Sequence, residues 1–234
     1  MGGTKEEQNS MVAITKTEQE VPEAPYDWPN YTRGERIADG TIHAIGIVGS
    51  ILAFYYLFSF PGLIDANLVP ALIVYAVCSI ALFCFSALYH LAPWPHRRPF
   101  LRRVDQAAIF FKIAGTYTPL VFLVDTLFGY SLLTAVWIAA SVGAISKLMT
   151  GDRLDSHTVT IYLGLSWSSA LLLWQLVQTL DFWSVWFVVL GGILYTIGVI
   201  FHQWDGLKFQ NAIWHAFVLV ASACHFTAVA SAAF

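Results

Sequence analysis

Three pairs of polar residues, each four positions apart within apolar sequence, are the feature of this chain with the greatest capacity for chemistry. The pairs are Asp39 with His43, Ser86 with His90, and Asn211 with His215. Residues at positions i and i+4 lie on the same face of an α-helix. Each pair therefore directs two side chains that can bind a metal or move a proton toward one side of its helix.

A carboxylate, Asp105, follows the second pair after a turn rich in arginine. The stretch reads SALYHLAPWPHRRPFLRRVD, so His90 ends one apolar run and Asp105 opens the next. Two histidines, one carboxylate and a water form a known catalytic zinc arrangement. His90, His215 and Asp105 therefore predict a metal site, with Ser86 placed to hold a ligand or a reacting oxygen. A hydrogen-bonded network without a metal is the alternative that the spacing leaves open.

Asp39 and His43 predict an outer pair around that site, in which the carboxylate orients the imidazole. The alternative is a hydrogen bond within one helix that faces a neighbouring helix. Lys112 lies seven residues after Asp105, about two turns along nearly the same helix face. It can pair with a carboxylate, bind an anionic group, or extend its ammonium toward the membrane edge.

The composition places these residues in a membrane protein. Hydrophobic residues make up 57% of the chain and charged residues only 12%, against roughly 25% charged in a soluble domain. Seven apolar segments are each near the roughly 20 residues that a spanning helix needs. They lie at about 37–60, 68–92, 106–124, 129–148, 157–179, 183–202 and 211–233. The sequence therefore predicts an all-α, integral membrane bundle of seven helices, which short connections make antiparallel.

Lysine and arginine placement predicts the orientation of the bundle. The N-terminal stretch and the even-numbered connections carry these residues, whereas the odd-numbered connections and the C-terminus carry none. By the positive-inside rule the N-terminus is cytoplasmic and the C-terminus outside, so the polar pairs face the cytoplasm. Residues 1–33 are polar and acidic, typical of a disordered tail, and residues 34–234 form the membrane domain.

Several motifs, in this order along the chain, resemble the bacterial hemolysin III family. They are SALYH, the aspartate that opens the next segment, IAGTYTP, and AIWHAFVLVASACHF in the last segment. This family is related to the progestin and adipoQ receptors, which include the adiponectin receptors, and more distantly to alkaline ceramidases. The resemblance covers about residues 35–230 and implies a multi-pass protein of the bacterial inner membrane.

The resemblance implies a zinc site. The receptors bind zinc through three histidines, with an aspartate acting through a water. The SxxxH motif is matched by Ser86 and His90, the aspartate by Asp105, and HxxxH only in its second half by His215, because Asn211 takes the place of the first histidine. With Asn211 a weak ligand, either Asp105 binds zinc directly, or the affinity drops, or no metal is bound.

The function implied by the resemblance is a ceramidase-like zinc hydrolase acting on a lipid amide or ester, with Asp105 and Ser86 as catalytic residues. Its expected partners are membrane lipids and a lipid substrate, with no nucleic acid. One alternative is a non-catalytic, receptor-like membrane sensor in which the same cluster is structural. Another is a membrane-lytic hemolysin or pore, although the sequence lacks an amphipathic pore-forming segment.

Overall fold

The computed structural model describes residues 31–60, 62–150 and 155–234, and these residues form helices and connecting turns without a strand. The helices are α1 (Arg33–Phe58), α2 (Val69–Leu91), α3 (Arg98–Val124), α4 (Leu127–Thr150), α5 (Asp155–Trp167), α6 (Leu173–Thr179), α7 (Phe182–His202) and α8 (Gln210–Ala233). A 3₁₀ turn, Ser168–Leu172, joins α5 and α6 into one span. Within the described residues, seven spans are long and apolar enough to cross a membrane, which confirms the predicted fold class.

The third span begins earlier than the sequence pattern suggests. Asp105 is predicted to open this helix, and that prediction is wrong because α3 begins at Arg98, after a 3₁₀ turn at Pro95–Arg97. Pro99 stands in the first turn, where proline is well tolerated because its missing N–H has no helical partner there. Asp105 therefore lies about two turns inside the helix, and the arginines 102 and 103 belong to the helix rather than the loop.

Helix α3 lies at the centre of the bundle. In the most apolar 18 residues of this span, 72% of the residues are buried inside the protein. The same fraction is 11% to 44% in the other spans. Tyr117 and Val121 are among its residues in the main hydrophobic core, where they pack with Tyr75 of α2 and Val136 of α4. Large apolar side chains on the outer helices are exposed, as expected for a surface in contact with lipid tails.

The fifth span is interrupted between α5 and α6, and a side chain from α3 contacts the interruption. The Tyr117 hydroxyl lies 2.9 and 3.0 Å from the Leu165 and Ser166 carbonyl oxygens, which share its one proton, and 2.8 Å from the Ser168 hydroxyl. Backbone carbonyls that leave the α-helical pattern inside a membrane need such partners. Tyr117 therefore holds the fifth span against the central helix.

Glycine allows the close approach of α7 and α8. A Cβ on Gly191 would lie 2.5 Å from His225 Nε2, and one on Gly198 would lie 2.8 Å from Phe217 Cβ. Small residues at such contacts let helix backbones pack tightly in membranes. The described residues from Arg33 onward form one compact unit. Of the predicted tail, residues 1–30 lie outside the described residues, and Arg33 already belongs to α1.

Candidate metal centre

Four helix termini meet at one end of the bundle. The up-and-down path places the start of α1, the end of α2, the first turns of α3 and the start of α8 together there. The Glu35 carboxylate on α1 accepts a hydrogen bond of 2.9 Å from the Phe209 backbone N–H, immediately before α8. Polar pairs that are distant in sequence become neighbours because these ends coincide.

A buried group of Asp39, His43 and His215 could hold a metal ion. Each residue offers one ligand atom, and these atoms all lie within 4.8 Å of one another. The three residues are buried, with exposed fractions of 6%, 2% and 7%. An aspartate and two histidines buried together form a donor set suited to zinc and to other first-row metals.

Asp39 orients both imidazoles of this group. His43 Nδ1 donates to the Asp39 backbone carbonyl at 2.8 Å, and His215 Nδ1 donates to Asp39 Oδ1 at 2.6 Å. When Nδ1 of a neutral imidazole carries the proton, Nε2 is left with its lone pair. The Nε2 atoms of His43 and His215 are therefore both acceptors.

Those two acceptors converge on the Ser86 hydroxyl. Ser86 Oγ lies 3.1 Å from His43 Nε2 and 3.4 Å from His215 Nε2. A hydroxyl has one proton to donate, so it can satisfy only one of the two nitrogen atoms. A metal cation beside Ser86 would accept both lone pairs, and the residues present therefore fit a metal ion.

His90 lies against the same group but is held by Asn211. Its ring centroid lies 4.6 Å from that of His215 and 5.6 Å from that of His43. Asn211 Nδ2 donates to His90 Nδ1 at 3.3 Å, and Asp39 Oδ2 lies 3.8 Å from the same nitrogen. The Asn211 amide thus occupies the Nδ1 lone pair of His90.

Asp105 is the second carboxylate of the cluster. It is buried on α3 beside the Ser86 side chain, and it interacts electrostatically with His215 and Asp39. The seven residues that the sequence singled out therefore gather at one end of the bundle. Whether each one binds metal remains a prediction.

The i, i+4 spacing predicts Asp39 and His43 as an outer pair, and the structure places both inside the cluster. His43 presents its Nε2 to Ser86 as directly as His215 does, whereas His90 faces Asn211. The signal in the sequence was the i, i+4 spacing, which indicated a shared face. It could not show that α1 packs against both α2 and α8 at this point.

The seven spans and the buried cluster define a multi-pass membrane protein with a candidate metal centre at one end of its bundle. The model of the family described as Haemolysin-III related matches residues 33–226. The chain belongs to this family, which confirms the resemblance drawn from its motifs.

Relatives of the chain come from bacteria and from mammals. Over 201 residues it is 36% identical to "Hemolysin-3" of Bacillus cereus, covering 83% of this chain and 90% of that protein. Over 203 residues it is 33% identical to "Hemolysin-3 homolog" of Bacillus subtilis (strain 168), covering 85% and 94%. It is also 28% identical over 165 residues to the human "Monocyte to macrophage differentiation factor", covering 67% of each chain. The similarity to the two bacterial proteins thus extends over nearly their whole length.

Proposed function

We propose that this protein is a metal-dependent hydrolase that cleaves an amide or ester bond of a membrane lipid at the cytoplasmic face of a bacterial plasma membrane. The observation that carries the proposal is the convergence of His43 Nε2 and His215 Nε2 on one buried point beside Ser86. A zinc ion held there by these two histidines, which Asp39 orients, would supply Lewis acidity toward the scissile carbonyl.

Three residues around that point have separate roles in the proposed reaction. Asp39 keeps both Nδ1 protons in place, which directs the Nε2 lone pairs into the centre. The Ser86 hydroxyl is placed to donate to a carbonyl oxygen on which negative charge develops. Asp105, beside Ser86, is placed to accept a proton from an attacking water.

A lipid is the substrate class that the surroundings favour. The centre is buried at one end of a bundle whose outer surface is largely apolar, so a molecule that dissolves in the bilayer would be concentrated around it. Membrane lipids are the proposed partners of this chain. Nucleic acid is not among the proposed partners. Hydrolysis of a lipid amide or ester needs only a polarised carbonyl, a water and a proton acceptor.

Metal content is the first test of this proposal. Detergent-purified wild type is expected to contain close to one zinc per chain by mass spectrometry, and His215→Ala is expected to lose it. His96→Ala is the matched control, because His96 is an exposed histidine of the α2–α3 connection and should leave the metal in place. Zinc-free wild type, or zinc retained in His215→Ala, would contradict the proposed centre.

Turnover is the second test. Wild type with metal is expected to release fatty acid from lipid amides or esters in mixed micelles, and a chelator should abolish the release. Bound zinc together with a tightly held lipid and no turnover would instead support a receptor-like sensor.

Membrane lysis is a second candidate function, favoured by the name of the Bacillus cereus relative, "Hemolysin-3". It predicts leakage of a trapped dye from liposomes that contain the protein. The leakage should persist in His215→Ala if lysis is independent of the cluster. Intact liposomes at high protein density would exclude it.

A further inference from the structure

A second layer of polar residues lies deeper in the bundle than the metal centre. Seven residues separate three of its members from members of the centre: Ser79 from Ser86 on α2, Lys112 from Asp105 on α3, and Ser222 from His215 on α8. Seven residues are about two helical turns and about 10 Å, so the same helix faces carry both layers. The second layer therefore lies near the middle of the spans.

Lys112 is the charged residue of this layer. Only 4% of it is exposed, and its Nζ donates to Ser79 Oγ at 3.0 Å. Nζ also lies 4.6 Å from the centroid of the Tyr75 ring, and the thiol of Cys78 is within electrostatic range. Within the described residues, no acidic side chain forms an ion pair with Lys112.

His225 adds a nitrogen atom without a hydrogen-bond partner to the same layer. Its Nε2 donates to the Val188 carbonyl at 3.1 Å, while its Nδ1 is buried and has no partner among the described residues. The ring interacts electrostatically with Lys112 and lies 5.8 Å from the Tyr195 ring. Gly191 packs directly against the imidazole, which fixes its position.

The Lys112 ammonium has no negative charge beside it among the described residues. An ammonium group inside a membrane is costly unless it is paired, and such residues commonly mark the path or site of a ligand. Lys112 has three N–H donors, of which Ser79 takes one. An anion beside Lys112 would accept the remaining donors, and it would also favour a proton on His225 Nδ1, which would then donate to it.

We propose that Lys112 and His225 form a binding site for a monovalent anion in the middle of the bundle, separate from the metal centre. The shared chemistry is a single negative charge with several acceptor lone pairs. Two kinds of ligand have this chemistry. One is a halide ion that enters from water, and the other is the carboxylate of an alkyl chain that enters from the bilayer. The proposal does not depend on hydrolase activity.

Thermal unfolding of the detergent-solubilised protein tests this site. Sodium chloride is compared with sodium gluconate at equal ionic strength, and decanoate with decanol at equal concentration. A ligand that binds only the folded protein raises Tm, by about 5–10 °C at a hundredfold excess over Kd. A rise with chloride identifies a halide site, and a rise with decanoate but not decanol identifies a carboxylate site.

The variants make the test specific. Lys112→Met is expected to lose the response, and His225→Gln to weaken it, which preserves the test if the first variant does not fold. Lys147→Met is the matched control, because Lys147 is a lysine buried to the same extent on α4 and has other interactions. The proposal is overturned if neither anion stabilises wild type, or if Lys112→Met and wild type respond equally.

Discussion

His215 Nδ1 lies 2.6 Å from Oδ1 of Asp39, a residue 176 positions earlier in the chain. This hydrogen bond joins the first and the last helices of the bundle at the candidate metal centre. It also decides which nitrogen of His215 faces the centre, because a donating Nδ1 leaves the lone pair on Nε2. Asp39 therefore sets which nitrogen of His215 is free to bind a metal, although the two residues lie near opposite ends of the sequence.

Replacing Asp39 by asparagine is expected to weaken metal binding by about 10- to 100-fold, the usual effect of losing a carboxylate that orients a ligand histidine. The neutral amide can still accept from His215, but it no longer raises the basicity of the imidazole. Competition with a zinc chelator measures the change. Asp125→Asn is the control, since Asp125 is exposed and accepts from Tyr130 at 2.9 Å far from the centre. Equal affinity in both variants would remove Asp39 from the site.

Replacing Asn211 by histidine is expected to increase zinc affinity about tenfold, because a further imidazole would replace an amide that occupies His90 Nδ1. The same chelator competition measures it. Asn67→His, which adds a histidine in an exposed turn, should leave the affinity unchanged. No gain from Asn211→His would mean that His90 and position 211 lie outside the ligand set.

Removing the Tyr117 hydroxyl is expected to destabilise the protein by about 1–3 kcal/mol, the cost of leaving buried polar groups without a partner. In Tyr117→Phe the Ser166 carbonyl loses its donor at the interruption of the fifth span, and the Leu165 carbonyl keeps only the Ser168 hydroxyl, at 2.7 Å. Thermal unfolding in detergent measures the loss. Tyr55→Phe, at a side chain that is 73% exposed, should change little. Similar Tm values for the two variants would show that water or lipid headgroups satisfy those carbonyls instead.

Alanine substitutions at two neighbouring glycines on α7 are expected to change the stability of the protein in opposite directions. In Gly191→Ala the new Cβ would lie 2.5 Å from His225 Nε2, and overpacking of this kind costs about 1–3 kcal/mol. In Gly192→Ala the Cβ meets nothing within 4 Å, so the higher helix propensity of alanine should stabilise by up to about 1 kcal/mol. The difference in Tm between the two variants measures the tightness of the α7–α8 contact. A Gly191→Ala variant as stable as Gly192→Ala would show that this contact is loose.

The orientation of the bundle gives a prediction of its own. The arginine-rich connection before α3 is expected in the cytoplasm and the connection between α1 and α2 outside. In a variant without native cysteines, Asn67→Cys should react with a membrane-impermeant maleimide in intact cells. His96→Cys should react only after the cells are opened. The reverse pattern would place the metal centre at the outer face.

Local sequence patterns specify the helices of this protein and the polar residues that they carry. Runs of about 20 apolar residues specify spans, because a backbone in lipid must satisfy its hydrogen bonds within each helix. The i, i+4 spacing of Asn211 and His215 likewise specifies a shared face. Such features are local, so they can be read without knowing where any other helix lies.

The partners of the polar residues follow from the way the helices pack against one another. Helix rotation and depth set the contacts, so His43 reaches Ser86 while His90 is held by Asn211. The helix start at Arg98 likewise moved Asp105 from a helix end to a buried position. Distances between side chains on different helices depend on the packing of the whole bundle, and no spacing within a single helix contains that information.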